Sequence, residues 1–199
     1  MQTHPKFCTE CGHATELKIP PNDTRPRACC DNCGWINYIN PKVVCGVIFH
    51  HEDQVLLCKR AIEPRLGYWT FPAGFMECEE TTQQGALREA IEEASAAPRN
   101  TPVFYANYSL PRISQVYSIY RAELDPNAHA AGPESLETRM VKIADLGQYE
   151  LAFGIIEHAV GLLVDDMARG EWAVHDCALG GTFDRPEILE YQRLALRSD

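Results

Sequence analysis

The chain has no long hydrophobic run, no excess of basic charge, no internal repeat and no low-complexity segment. Its apolar stretches fall far short of the ~18 residues that a bilayer-crossing helix needs, so no spanning segment is expected. Eighteen Lys and Arg against 28 Asp and Glu give a formal net charge of −10. Nucleic acid and anionic lipid both call for a basic footprint, so neither is expected as a partner. The opening segment MQTHPKFCTECGH has no apolar core preceded by basic residues, which argues against a secretory signal. What is present is ordinary for a globular protein: 199 residues, 45% hydrophobic and 23% charged. Disordered and fibrous classes fit poorly, and the length suits one domain with a small appendage.

Cysteine is unevenly distributed. Five of the nine lie in the first 33 residues, and Cys45, Cys58, Cys78 and Cys177 are scattered singly. An odd count without an export signal points to a reducing cytoplasm rather than a disulfide framework. Residues 1–40 are rich in Cys, Pro, Asn and Thr, and a segment this short needs a staple to hold together. Cys8-x-x-Cys11 and Cys30-x-x-Cys33 supply one: four thiolates that can close a tetrahedron around structural Zn²⁺. Gly12 and Gly34 each follow a second Cys and suit knuckle turns. Cys29 and His13 are the alternative ligands. A redox role for the CxxC pairs would call for a helix in a βαβ context, which is not seen here.

From residue 41 the texture changes to a mixture of strands and helices. VVCGVIFH, QVLLCKR, WTFPAGF, VFYANYSL, ISQVYSIYRAEL and TRMVKI read as β-type runs. TTQQGALREAIEEASAA reads as a helix opened by the capping box Thr81-x-x-Gln84, with Leu87, Ile91 and the alanines as its packing side. A second amphipathic helix runs from Phe153 to Arg169, and a final helix is expected from Arg185-Pro186 to the C-terminus. The order indicates an α+β fold, an α/β/α sandwich with a mixed sheet over residues 41–199, preceded by the ribbon at 1–40.

The first of these helices carries the most information. Glu89, Glu92 and Glu93 are three and four residues apart and project from one side. Like charges at that spacing repel, and a hard divalent cation with oxygen ligands offsets the repulsion. Taken alone, the helix fits equally well a solvated acidic face. The preceding residues shift the balance. Gly74, Glu80, Arg88, Glu89, Glu92 and Glu93 stand in the register of the Nudix box, G-x5-E-x7-R-E-U-x-E-E-x-G-U with U aliphatic, and the chain resembles a Nudix hydrolase. It departs from the pattern at Ser95, where the box has glycine, and at the small Ala90 and Ala96. The four-Cys ribbon, INYINPKVV, CKRAIEPRLGYWTFPAGFMECEETT and GPESLETR resemble the zinc-ribbon-bearing subgroup, which acts on FAD and ADP-ribose and borders the NADH pyrophosphatases. YSLPRISQVYSIY stands where NADH pyrophosphatases carry an SQPWPFP-type signature.

The resemblance implies metal-dependent hydrolysis of a diphosphate in a nucleoside diphosphate conjugate, FAD or ADP-ribose first, releasing AMP. NADH or NAD-capped RNA is the alternative, and a non-catalytic ligand-sensing or nucleic-acid-binding regulator is a third reading. Mg²⁺ or Mn²⁺ would be held by Glu89 and Glu93, with Glu92 sharing and the Ala73 carbonyl completing the shell. Arg88 would point away and hold Glu80 or the loop. The general base is expected downstream in GPESLE, with Glu137 favoured over Glu134. Arg60, Arg65 and Arg112 are candidate diphosphate donors and Trp69 a candidate stacking surface, with Tyr68, Tyr117 and Tyr120 as further aromatics. Related diphosphatases imply a homodimer.

Overall fold

The computed structural model describes residues 4–182 and 185–195. The chain divides into two units, Met1–Pro41 and Lys42–Asp199. The first is a small three-stranded antiparallel sheet of β1 (Glu16–Lys18), β2 (Arg27–Cys29) and β3 (Ile36–Asn37), in that order.

The second unit is built on a nine-stranded mixed sheet. Its strands are β4 (Lys42–His51), β5 (Gln54–Arg60), β6 (Trp69–Thr70), β7 (Ala73–Phe75), β8 (Val103–Leu110), β9 (Gln115–Glu123), β10 (Ser135–Lys142), β11 (Ala173–Gly181) and β12 (Pro186–Ala195). The main path runs β10-β5-β4-β9-β8-β11-β12, with β6 added to β5 and β7 to β4. β4 with β9 and β11 with β8 are parallel, and the remaining neighbours are antiparallel. Helix α1 (Thr82–Ala94) and helix α2 (Gly154–Arg169) pack into separate cores on the sheet.

Period-two alternation sorts the strand residues between those cores. Cys45, Val47 and Phe49 of β4, with Leu56 and Cys58 of β5, cluster with the alanines of α1. Ile48, Val55 and Leu57 cluster with Ile155, Ile156, Ala159, Val160 and Leu163 of α2. Burial of each large side chain contributes about 1.5–3 kcal/mol. Among the described residues, no helix is long and apolar enough to cross a membrane.

Helix α1 begins as the capping box requires: the Gln84 amide donates to Thr81 Oγ1 (3.2 Å) and the Thr81 amide to Gln84 Oε1 (2.8 Å). Its packing side differs from expectation. Gly85, Ala86, Ala90, Glu93 and Ala94 are buried, whereas Ile91 is 59% exposed. Small residues let the helix settle close to the sheet, and that rotation carries Glu93 inward. The helix ends on Ser95 in the left-handed region (φ 48°, ψ 30°), whose amide donates to the Ile91 carbonyl at 2.9 Å.

The helix expected from Arg185-Pro186 onward is instead strand β12, paired antiparallel with β11 from Gly181↔Pro186 to Ala173↔Ala195. Leu196 to Asp199 lie outside the described residues. Two-residue spacing explains the difference. Tyr191 and Arg193 reach the two members of one buried pair, His175 and Asp166, which a helix could not arrange with these partners. Asp166 of α2 accepts at Oδ2 from the Ala173 amide (3.1 Å) and the Tyr105 hydroxyl (3.3 Å), and His175 Nε2 stands 2.9 Å from the same oxygen. The Arg193 guanidinium donates to Asp166 Oδ1 at 3.2 Å, and the Tyr191 hydroxyl lies 3.0 Å from His175 Nδ1. Asp166 and His175 are both 1% exposed, so this network satisfies a carboxylate deep in the fold.

Candidate active site

Short strand β7 delivers the box to the sheet, pairing with β4 through Val44↔Phe75, Cys45↔Gly74 and Gly46↔Ala73. At Gly74 a Cβ would overlap the Glu89 carboxylate as it stands, so any side chain there would displace that carboxylate from its seat. The glycine therefore lets Glu89 lie against the strand. Arg88 grips Glu80 with two bonds, Nε to Oε2 at 3.1 Å and Nη2 to Oε1 at 2.9 Å, and also donates to the Phe75 carbonyl at 3.0 Å. Its Nη1 donates to Glu89 Oε1 (2.7 Å) and Glu92 Oε2 (2.9 Å). Arg88 thus does hold Glu80 and the loop, but it sits among the acidic side chains rather than pointing away. Its hydrogen bonds hold the Glu80 carboxyl below the usual carboxylate range, helped by the Glu77 amide and then by the Arg88 charge.

Glu93 is 6% exposed, and its Oε2 accepts from the Ala73 amide at 3.1 Å. Burial pushes its carboxyl up to about 8; the Ala73 hydrogen bond opposes this, and the charges of Glu89 and Glu134 add to it. Glu89 is also raised, first by burial, with the Arg88 contacts opposing and Glu92 and Glu134 reinforcing. Both carboxylates resist ionisation where they stand, and only Glu89 has the Arg88 guanidinium as a direct partner. A hard divalent cation would favour their charged forms and use their oxygens, so the donor set fits Mg²⁺ or Mn²⁺. Glu92, with a 57% exposed side chain, is the outermost of the three.

These groups open onto a cavity of about 740 Å³. Glu89, Glu92, Glu93, Glu134, Arg88 and Arg60 line it, together with Ala73 and Gly74. Leu110, Ile113, Tyr117, Phe153, Ile155, Leu179 and Pro186 are among its apolar lining, and Arg112 also lines it. Arg60 donates through Nε to the Pro64 carbonyl at 2.9 Å, and Arg112 donates to the Gly181 carbonyl. The wall formed by the start of α2 and the β11–β12 hairpin carries no motif that could have marked it in the sequence.

Three of the expected residues stand elsewhere. Glu137 pairs with Arg139 and does not line the cavity, while Glu134 does. A bulge in β10 decides this: Ser135 pairs with Arg60 and Glu137 with Lys59, so Leu136 is extra and the register shifts at this point. Trp69 is buried in the α2-side core, edge-on to Tyr149 at 5.1 Å, which removes it from stacking against a ligand. Arg65 is off the cavity, with its guanidinium 4.9 Å over the Tyr68 ring. Tyr120 is engaged with Thr82 (2.7 Å), whereas Tyr117 does reach the cavity.

In the N-terminal unit, the Sγ atoms of Cys8, Cys11, Cys30 and Cys33 all lie within 4.8 Å of one another. Cys8–Cys33 at 3.6 Å and Cys11–Cys30 at 3.5 Å are close to the ~3.8 Å edge of a tetrahedron with 2.3 Å Zn–S bonds. Matching knuckles hold them, with the Gly12 amide on the Cys8 carbonyl (3.0 Å) and the Gly34 amide on the Cys30 carbonyl (2.9 Å). Both glycines have positive φ, 74° and 79°. Cys29 turns its sulfur toward the Arg27 carbonyl (3.5 Å), and His13 Nδ1 faces the Cys11 carbonyl (3.2 Å). The four-Cys set is therefore the one that fits zinc.

Comparison with known proteins agrees with this architecture. Residues 6–39 match the family model described as Nudix N-terminal, a zinc ribbon, and residues 40–159 match that of the NUDIX domain. A crystal structure of a NUDIX hydrolase from Nitrosomonas europaea superposes with a TM-score of 0.81 at 45% identity, covering 87% of this chain and 98% of that one. The NAD-capped RNA hydrolase NudC of Haemophilus influenzae (strain PittGG) is 34% identical over 106 residues, 52% of this chain and 38% of its own. That of Salmonella heidelberg (strain SL476) is 31% identical over 144 residues, 71% and 53%. The chain thus spans about half the length, or less, of these curated relatives. The NUDIX domain of Shewanella oneidensis NrtR, solved with ADP ribose, shares the fold at 24% identity and a TM-score of 0.51, covering 67% of this chain and 89% of that one. With its box, its fold and its ribbon in agreement, the chain belongs to the Nudix family, in the form that carries an N-terminal zinc ribbon.

Proposed function

We propose that the protein hydrolyses the diphosphate linkage of a nucleoside diphosphate conjugate, with FAD or ADP-ribose as the preferred class, releasing AMP. The observation that carries this reading is the pair Glu89 and Glu93, half-buried and buried, lining a cavity large enough for a dinucleotide-sized ligand. Glu89 and Glu93 would hold Mg²⁺ or Mn²⁺, with Glu92 sharing from the rim and the Ala73 carbonyl completing the set. When bound, the cation neutralises diphosphate charge and lowers the pKa of water. Arg88 orders the acidic side chains, while Arg60 and Arg112 supply positive charge along the cavity. Glu134 is the best-placed general base: it lines the cavity, and its charge is felt by both Glu89 and Glu93. It would accept the proton of the attacking water as the new P–O bond forms and the bridging P–O bond breaks, leaving two phosphomonoesters.

The apolar lining of the cavity, in which Tyr117 and Phe153 stand with Leu110, Ile113, Ile155, Leu179 and Pro186, suits a ring-bearing conjugate. The similarity to NAD-capped RNA hydrolases favours the second reading, NADH or an NAD cap. Zinc in the ribbon would be structural. Nine cysteines of which none is in a disulfide suit a cytoplasmic protein, and a homodimer is expected by analogy with related diphosphatases. The test is a panel of FAD, ADP-ribose, NADH and diadenosine polyphosphates with Mg²⁺ or Mn²⁺, reading released AMP. Preferential cleavage of FAD or ADP-ribose is expected; preferential cleavage of NADH would transfer the assignment to the second reading, and no cleavage of any conjugate would sink both.

A further inference from the structure

Helix α1 has an unusual ending. A helix leaves its last four carbonyls without partners inside the helix. Here Ile91 receives the Ser95 amide, but the Glu93 and Ala94 carbonyls receive amides from a different segment: Gly132 donates to Glu93 at 3.0 Å and Ala130 to Ala94 at 2.8 Å. That segment joins β9 to β10 and carries Glu134 two residues further on. The Glu134 carbonyl is in turn fixed by the Ala61 amide at 2.8 Å. Glu134 is thus bracketed between the end of the acidic helix and the end of β5.

Gly132 makes the first anchor possible. A Cβ at this position would fall far inside van der Waals contact with the Glu92 carbonyl oxygen and 2.8 Å from its carbon. The obstruction is main chain, which cannot swing aside as a side-chain tip would. Gly132 is not among the glycines with positive φ, so its conformation is open to alanine and only the close approach forbids a side chain.

We propose that Gly132 is a positioning residue: its close seat on the α1 terminus sets where Glu134 stands relative to Glu89 and Glu93. The inference rests on the reading of Glu134 as general base. The last turn of α1 then does two things at once, presenting the Glu93 carboxylate through its side chain and locating the base through its main chain. Gly132→Ala must push the loop away by on the order of 1 Å, a misplacement that can cost ~100-fold in rate.

The test is a four-protein cycle with ADP-ribose and Mg²⁺: the unsubstituted protein, Gly132→Ala, Glu134→Gln and the double variant. Gly132→Ala should lower kcat roughly 10- to 100-fold with KM changed less than about threefold, and should lower it little further in the Glu134→Gln background. Equal losses in both backgrounds, or no loss from Gly132→Ala, would overturn the positioning role while leaving the base assignment standing. A Glu134→Gln rate equal to that of the unsubstituted protein would remove the base reading, and this inference with it. Amide hydrogen exchange on the unsubstituted protein decides the matter should Gly132→Ala not fold. The Gly132 and Ala130 amides should be protected like those of the last turn of α1, and exchange at open-loop rates would mean that the anchor does not exist.

Discussion

Replacing Glu93 by glutamine should make the protein more stable while removing its activity, and the gain should depend on pH in a defined direction. Burial raises the Glu93 carboxyl from 4.5 to about 8. A group raised in the folded state contributes stability that is complete below its unfolded value, here about 4.5, and is lost as pH climbs through the folded value. Without Mg²⁺, the protein should therefore lose stability steadily between pH 4.5 and 8 on account of this one side chain. At ~1.36 kcal/mol per pH unit the displacement has a ceiling of about 5 kcal/mol, and relaxation around the charge should leave about 2–3 kcal/mol. Glutamine keeps the shape and the Ala73 contact without the charge. The measurement is urea unfolding of both proteins in Mg²⁺-free buffer at pH 5 and pH 8.5, repeated with 10-fold steps of Mg²⁺. Near-equal midpoints are expected at pH 5 and a more stable glutamine variant at pH 8.5, with Mg²⁺ stabilising only the unsubstituted protein. A glutamine variant that is equally or less stable at pH 8.5 would refute the idea that the site holds an uncompensated carboxylate awaiting a cation.

Other outcomes follow from single contacts. Ser95→Gly should raise stability by about 1 kcal/mol, because Ser95 is exposed and left-handed where glycine carries no Cβ penalty; thermal melting checks it, and an unchanged or lower Tm contradicts it. Cys30→Ser should release zinc, read with a chromophoric chelator, and full retention would mean that Cys29 or His13 is the true fourth ligand. Glu137→Gln should leave turnover within about twofold of the unsubstituted value, since Glu137 is spent on Arg139 outside the cavity; a loss of 100-fold would restore it as the base.

The acidic helix and the cysteine pairs were legible because their chemistry demands fixed spacing, and spacing survives in a sequence. Two CxxC knuckles place four thiolates around one zinc, and carboxylates three and four apart share one side of a helix, so both arrangements leave a fixed spacing. Features set by tertiary contact were less visible. Ile91 satisfies helical periodicity, yet the helix turns its alanines inward, because close approach to the sheet outweighs the larger apolar side chain. Trp69 looked available next to the box but fills the core beside Tyr149. Glu134 and Glu137 are separated only by where β10 bulges, which no local pattern records. The residues of β12 satisfied a helical reading until the partners of Tyr191 and Arg193 were known. β11 was overlooked altogether, for AVHDCALGG mixes small and polar residues without a strong alternation.

The buried cluster at Asp166 also limits how the cavity can be altered. Pro186 and Leu179 shape its aliphatic wall, and both belong to the hairpin whose outer strand supplies Tyr191 and Arg193 to that cluster. Sliding β12 by one residue would send both side chains to the opposite surface and strand an interior carboxylate without its guanidinium. Individual wall residues are thus free to vary in size, but the hairpin cannot be re-registered, so any change of ligand preference here has to proceed by side-chain exchange on a stationary frame.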